Sequence, residues 1–239
     1  MFKQLIIILL LPCLLFAKEE ANELVTRFER AEVGSYIVTA QQSNLSLVLL
    51  RRKDGQTIQL EEVAAPLLKL KTLKSSVDIL DWLAKKAPGH TAWACYEIDL
   101  KKGSILEGYS YSRESWLFLD EQEHFLAKLL TQKLIKTPEN ERRKIGPEPA
   151  DGLFDARASW SPPKLHTGQK FEAWRGSLPK DNSPLSECAL ELYFDGSDAD
   201  FPFPYWVEIA SPHYRYTAHA LASGKGAISP MPPLPRREL

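Results

Sequence analysis

The sequence predicts an α+β fold, in which an antiparallel meander sheet packed by two or three helices precedes a small all-β domain and a Pro-rich tail. The first observation is composition: of 239 residues, 44% are hydrophobic and 26% are charged, as in folded proteins. The second is a series of short β-branched and aliphatic runs separated by Gly-containing turns. The third is a few segments with apolar residues at the three- and four-residue spacing of an amphipathic helix.

The N-terminus has the pattern of a secretory signal peptide. Lys3 precedes an apolar run from Leu5 to Phe16, and Ala17 stands before charged residues. The run has about 12 residues, fewer than the roughly 20 that a membrane-spanning helix needs. We therefore expect a signal peptide over residues 1–17, a mature form without a transmembrane span, and export to the periplasm, the cell envelope or the medium. Cys13 raises the alternative of lipidation, although its apolar neighbours do not match that signal.

Residues 18–137 are predicted to form the α+β domain. Helical spacing of apolar residues, capping residues and stops at Gly34, Pro88 and Pro138 predict three helices. Asp54-Gly55 between two strand-like runs predicts a hairpin, because these residues accept the positive φ angles of a tight turn. The predicted helices are Glu19–Ala31, Ser76–Ala87 and Glu121–Lys136, and the predicted strands are Tyr36–Gln41, Leu45–Arg52, Thr57–Val63, Thr91–Leu100 and Ser104–Ser112.

A polar, Pro- and Gly-bearing stretch over residues 138–152 is predicted to be a linker. Beyond it, residues 153–226 are predicted to form a small all-β domain without helices. Its predicted strands are Lys170–Gly176, Cys188–Asp195, Pro204–Ala210 and Tyr214–Ala222. Residues 227–239 include four prolines after Ser229, which predicts an extended or disordered tail.

Charge and motifs exclude several classes of function. Thirty Lys and Arg against 31 Asp and Glu give a net charge of -1, which argues against a general nucleic-acid binder. The five histidines do not form the helical pair typical of a zinc protease, and no G-x-S-x-G serine motif occurs. We therefore expect no metal, no cofactor and no recognisable catalytic residue.

Three groups of residues are candidates for interactions or cross-linking. In the aromatic, Pro-interrupted segment at residues 201–206, we expect Trp206 to anchor the core, while Phe203 and Tyr205 form a partner-binding surface. Pro232, Pro235 and Arg237 satisfy the P-x-x-P-x-R pattern read by SH3-type grooves. Cys95 and Cys188 can form a disulfide in an oxidising compartment, the alternative being two buried thiols.

Three strings carry a resemblance to known sequences: Ser177–Leu185, Phe203–Ile209 and Tyr96–Leu100. Together they resemble exported, uncharacterised proteins of Chlamydia-like intracellular bacteria. None of these strings is a catalytic motif, so the resemblance implies a bacterium that lives inside host cells and implies no specific activity.

The sequence therefore predicts an exported, non-catalytic protein that binds an unknown protein partner or an envelope ligand. One alternative is an envelope hydrolase or transferase with an unrecognised site. Another is a LolA-like lipid or lipoprotein carrier, because a helix preceding an antiparallel sheet suits a half-barrel with an apolar hollow.

Overall fold

The computed structural model describes residues 22–41, 43–68, 73, 75–118, 125–141, 171–212 and 215–235. The predicted signal peptide, Cys13, Arg237 and most of the predicted linker lie outside these residues.

The described residues contain three α-helices and eleven strands. The helices are α1 (Glu23–Arg30), α2 (Ser76–Ala84) and α3 (Phe125–Thr131). The strands are β1 (Tyr36–Gln41), β2 (Asn44–Asp54), β3 (Thr57–Pro66), β4 (Ala92–Asp99), β5 (Ser104–Ser110), β6 (Ser115–Trp116), β7 (Ile135–Lys136), β8 (Phe171–Ser177), β9 (Ala189–Asp195), β10 (Trp206–Ala210) and β11 (Arg215–Gly224). None of these helices combines the length and hydropathy of a membrane crossing.

All eleven strands belong to one antiparallel sheet, in the order β6-β5-β4-β3-β2-β1-β11-β10-β9-β8-β7. The pairing of β1 with β11 joins the strands of the two predicted domains, with Tyr36 opposite Gly224 and Ala40 opposite His219. The sheet-rich α+β class is confirmed, and the predicted domain boundaries stay a prediction. The Asp54-Gly55 hairpin is confirmed, with Gly55 at a φ of +58°.

The third helix is shorter than predicted. The apolar spacing predicted a helix to Lys136, but α3 ends at Thr131, and Ile135–Lys136 pairs with Arg175 and Trp174 of β8. The apolar stripe continues because Leu134 packs in the core beside Gly176, where an added Cβ would lie 2.9 Å from a Leu134 methyl. Helical spacing here reflects burial on one side and does not require one continuous helix.

The sheet has two apolar faces. On the inner face, alternate side chains pack with α1 and α3: Leu50, Ile58, Leu60, Ile98, Ile105, Leu190, Leu192, Phe194 and Ile209. On the outer face, the intervening side chains pack with α2: Tyr36, Val38, Leu45, Leu47, Leu49, Val63 and Trp93. This division follows from the two-residue side-chain period of a strand.

The sheet curls, so that its two ends meet on either side of α3. At the β4–β5 turn, a Cβ on Gly103 would lie 2.8 Å from the Thr131 methyl and 3.3 Å from the Leu130 carbonyl. On the other side, α3 leads through Leu134 into β7, which pairs with β8. The inner face is therefore the concave side of the sheet and is filled by packed side chains, and α3 covers the seam between the two ends of the sheet.

Candidate functional site

The predicted aromatic surface lies inside the molecule. Phe203 and Tyr205 are both buried in the core of the inner face, so the expectation that they form a partner-binding surface is wrong. Phe203 packs edge-on against Phe28 of α1, with ring centroids 5.6 Å apart. The Tyr205 hydroxyl is hydrogen-bonded to the Ser223 hydroxyl at 2.9 Å, so the ring is buried without an unsatisfied polar tip. Burial raises the pKa of Tyr205 to about 12.

Trp206 is also buried, but on the outer side of β10. It contacts Ala173 and Tyr193, and its ring stacks on His219 with centroids 6.0 Å apart. Neighbouring strand residues point to opposite faces, which places Trp206 and Tyr205 in different clusters.

A buried cation fastens α1 over the inner face. The Arg27 guanidinium lies 2.7 Å from Glu23 and 3.7 Å from Glu172, and it stands 4.3 Å above the Phe194 ring. It also donates to the carbonyls of Asp198 and Phe201, both at 3.3 Å. Arg27 therefore ties α1 to the loop that carries the buried aromatic residues.

An open groove of about 520 Å³ lies at the seam. The β4–β5 turn, α3 and the loop after β8 form its walls. Its lining includes Lys102, Ser104, Lys128, Thr131, Lys180 and Asp181. Three lysines against one aspartate give the groove a positive charge.

Lys128 and Asp181 line the groove, and Ser183 hydrogen-bonds to both, so that the three side chains form a polar triad. The side chain of Lys128 is only 5% exposed, and its ammonium lies 2.5 Å from Asp181 Oδ2. It donates a second hydrogen bond to Ser183 Oγ at 2.6 Å. Ser183 donates its hydroxyl and its backbone N–H to Asp181 Oδ1, at 2.6 and 2.9 Å. These hydrogen bonds, from Lys128 first and then Ser183, lower the pKa of Asp181 to about 2.

The triad contains a serine, a lysine and a carboxylate but is not arranged for nucleophilic catalysis. The Ser183 proton faces Asp181, and a carboxylate with a pKa of about 2 is too weak a base to take it at neutral pH. Lys128 is held in the ion pair with Asp181 and donates to Ser183 Oγ, so it is not placed to accept the Ser183 proton. The arrangement suits binding of an anion better than activation of a hydroxyl.

A second polar cluster lies on the outer face. The Arg51 guanidinium pairs with Glu61 at 2.8 Å, with side chains 12% and 1% exposed. Glu61 also accepts from the Trp93 indole at 2.6 Å and from the Ser229 hydroxyl at 2.7 Å. Arg51 donates to the Tyr111 hydroxyl at 2.6 Å.

This outer cluster holds the C-terminal segment against the sheet. Arg51 donates to the carbonyls of Met231 and Pro232, both at 2.7 Å, and Tyr111 donates to Pro232 at 2.8 Å. Ala227 is buried and donates its N–H to the Gly34 carbonyl at 3.0 Å. Residues 227–232 are therefore docked on the sheet without helix or strand structure, which agrees with the extended alternative predicted for the tail and contradicts the disordered one for these residues.

The outer cluster also bears on the predicted SH3-type motif. The Pro232 carbonyl is occupied within the chain itself, and Arg237 lies beyond the described residues, as noted above. Recognition of Pro232, Pro235 and Arg237 by a partner stays a prediction.

The two cysteines are buried free thiols, and no disulfide joins them. Cys95 lies on β4, and Cys188 directly precedes β9. Five strands separate these two in the sheet order. Burial raises the pKa of the Cys95 thiol to about 12, and the neighbouring Glu61 charge adds to this. The sequence left open a disulfide or two buried thiols, and the structure has two buried thiols. In the ranges that the structure describes, no group of three or more His, Cys, Asp and Glu could hold a metal ion.

Sequence reasoning missed the residues of both polar clusters. A signal existed, since Arg51 and Glu61 occupy the apolar positions of alternating strands, two residues from Leu49 and Val63 respectively. Lys128 likewise lies directly before the apolar pair Leu129 and Leu130 of the third helix. A charge at a buried position of a periodic segment needs a partner, but the pattern does not say which.

Comparisons with known proteins agree with the resemblance seen in the sequence. A family model described as "CT021 protein" matches residues 46–172, more than half of the chain. A 2.0 Å structure described as the hypothetical protein CT021 from Chlamydia trachomatis aligns with a TM-score of 0.64 and 21% identity, over 90% of this chain and 98% of that chain. At this identity the likeness concerns the fold alone. No curated protein matches the chain.

Proposed function

The chain belongs to the CT021 protein family, and we propose from its geometry that it is an exported, non-catalytic protein that binds an apolar ligand. The binding site is the inner face of the curled sheet, under α1 and α3. The ligand class is the acyl chain of a lipid or lipoprotein.

The observation that carries the proposal is a long, concave apolar face covered by short helices. Strands β2 and β3 have 11 and 10 residues, roughly 35 Å at strand rise. Helices α1 and α3 have 8 and 7 residues, about 12 and 10 Å long. α1 does not span the face, so it could shift over it while the sheet keeps its hydrogen bonds.

The energetics permit an acyl chain to replace helix contacts. α1 packs on the inner face through Leu24 and Phe28, and exposing both would cost about 3–6 kcal/mol. Burying roughly 14 methylene groups at about 0.8 kcal/mol each contributes about 11 kcal/mol before ordering costs. An acyl ligand of ordinary length can therefore offset the loss of these two apolar contacts. Displacement of α1 also requires Arg27 to leave Glu172 and the carbonyls of Asp198 and Phe201.

Export is the second part of the proposal, and the pattern at residues 1–17 supports it. An exported acyl carrier would shield its ligand from the water between membranes. N-terminal sequencing of the protein recovered from its own cells tests this part. A mature form that begins near Lys18 is expected, and one that still begins at Met1 contradicts export.

The binding part is tested by extracting the purified protein with organic solvent and identifying acyl compounds by mass spectrometry. Binding of a fluorescent fatty acid to the delipidated protein is then measured for Val207→Ser and Val77→Ser. Val207 is half-buried against the inner-face core, whereas Val77 of α2 is exposed.

We expect Val207→Ser to lose about 1 kcal/mol of apolar contact, or about fivefold in Kd, and Val77→Ser to bind like the parent. If the protein neither carries an acyl compound nor binds the probe, the carrier function is wrong. Equal Kd values for the two variants would place the ligand elsewhere than the inner face.

A further inference from the structure

We propose that the groove at the seam binds the anionic head group of the acyl ligand, a carboxylate or a phosphate, and that this head group takes over Lys128 from Asp181. This inference rests on the proposed function, since it assigns the polar end of the same ligand.

Helix α3 separates a positively charged groove from the apolar interior. Lys128 and Thr131 line the groove, while Leu129 and Leu130 lie in the core of the inner face. An amphiphile has the same division, with a polar head and an apolar chain within one molecule. A ligand that lies beside α3 can therefore place its head in the groove and its chain against the inner face.

The charges in the groove favour an anion. Lys102, Lys128 and Lys180 line it together with a single carboxylate, Asp181. Lys102 is also 3.8 Å from Asp99, which weakens its contribution, but its side chain is 73% exposed and free to turn. Lys128 is the strongest anchor, because its nearly buried ammonium needs a negative partner at short range.

Asp181 keeps other hydrogen bonds when it releases Lys128. Only Oδ2 contacts Lys128, whereas Oδ1 accepts from the hydroxyl and the backbone N–H of Ser183. The Asp181 N–H donates to the Ser186 hydroxyl at 3.0 Å, which holds the turn in place. The Asp181 carboxylate thus occupies the position that the head group would take, and it keeps its two hydrogen bonds from Ser183 after the exchange.

This exchange would also break a contact that holds α3 over the seam between the two ends of the sheet. The Lys128 contacts with Asp181 and Ser183 link α3 to the loop after β8. A head group that takes over Lys128 breaks this link at the place where the chain must pass α3. Head-group binding and entry of the acyl chain are therefore coupled.

The experiment compares three probes on the delipidated full chain: sodium laurate, the neutral monolaurin with the same acyl chain, and sodium acetate. Kd values are measured by displacement of a fluorescent apolar probe, and by calorimetry for acetate. The variants are Lys128→Gln, Lys128→Arg, Asp181→Asn and the control Lys85→Gln. Lys85 forms an ion pair of similar length with Asp81, 2.6 Å, but on the exposed side of α2.

We expect laurate to bind more tightly than monolaurin. Lys128→Gln should weaken laurate at least about tenfold while monolaurin stays within twofold. Asp181→Asn should strengthen laurate, because it removes the competing anion. Lys128→Arg should keep the preference for laurate, which separates loss of charge from loss of folding, and Lys85→Gln should behave like the parent.

Each contrary result would overturn a specific part of the proposal. If laurate and monolaurin bind alike and Lys128→Gln affects both equally, the head-group site is wrong while the acyl carrier stands. If acetate binds as tightly as laurate with the same dependence on Lys128, the groove is a site for free anions and is unrelated to the acyl ligand. If neither amphiphile binds, both this inference and the proposed function fail.

Discussion

Replacing Arg51 with Met should destabilise the protein strongly, because it leaves the Glu61 carboxylate buried without its cation. The Met side chain retains most of the apolar stem of Arg, so the change isolates the polar head. That head donates to Glu61, to Tyr111 and to two carbonyls of the C-terminal segment.

The magnitude follows from the partners that remain. Breaking a buried ion pair on one side costs about 3–5 kcal/mol. Glu61 keeps hydrogen bonds from Trp93 and Ser229, and the exposed Pro232 carbonyl can be hydrated. We therefore expect the lower end, about 3 kcal/mol in the free energy of unfolding, or roughly 6–12 °C in Tm for a protein of this size.

Thermal melts followed by circular dichroism measure this, with Arg52→Met as the matched control. Arg52 pairs with Asp54 at 3.2 Å, but the side chains are 63% and 75% exposed, so the control should lose less than about 1 kcal/mol. Ser229→Ala offers a milder variant that removes one hydrogen bond to Glu61 and should cost about 1.5 kcal/mol. If Arg51→Met melts within 2 °C of Arg52→Met, on the order of 1 kcal/mol, the outer cluster does not stabilise the docked C-terminal segment.

Three further predictions follow from the other sites. Trp206→Ala should lose about 3–5 kcal/mol of stability in chemical denaturation, and Tyr205→Phe about 1 kcal/mol for its hydrogen bond to Ser223; a Trp206 variant as stable as the parent would contradict its burial. Cys95, with a pKa raised to about 12 by burial, should resist alkylation at pH 8 in the native protein and react only after unfolding; mass spectrometry of the native protein after iodoacetamide decides this. The pKa of Asp181 is lowered to about 2, so the ionised carboxylate stabilises the fold above its ordinary pKa of 3.8, and this contribution is lost as pH falls through about 2. In Asp181→Asn, the free energy of unfolding should therefore change less with pH in that interval. An unchanged pH dependence would contradict the ion pair.

The sequence alone predicted the individual elements closely where the signal is local. Strand β1 matches its predicted bounds, and the Asp54-Gly55 hairpin and β9 differ from prediction by a few residues at most. Alternation of side chains and turn chemistry depend on neighbours in the chain, so they are visible without the fold. The resemblance to uncharacterised chlamydial proteins was likewise contained in short strings and is confirmed by the family match.

Tertiary structure decided everything that depends on partners distant in sequence. The pairing of β1 with β11 joins residues nearly 190 positions apart, and the lysine of α3 meets its aspartate 53 positions later. The same is true of Phe203 and Tyr205, whose aromatic rings suit a surface or a core equally well until α1 is seen to cover them. The C-terminal segment docks because its carbonyls and Ser229 complete the hydrogen bonds of Arg51 and Glu61, which lie on β2 and β3. A periodic pattern predicts that a position is buried, but the packing of the whole sheet determines which residue becomes the partner of a buried charge.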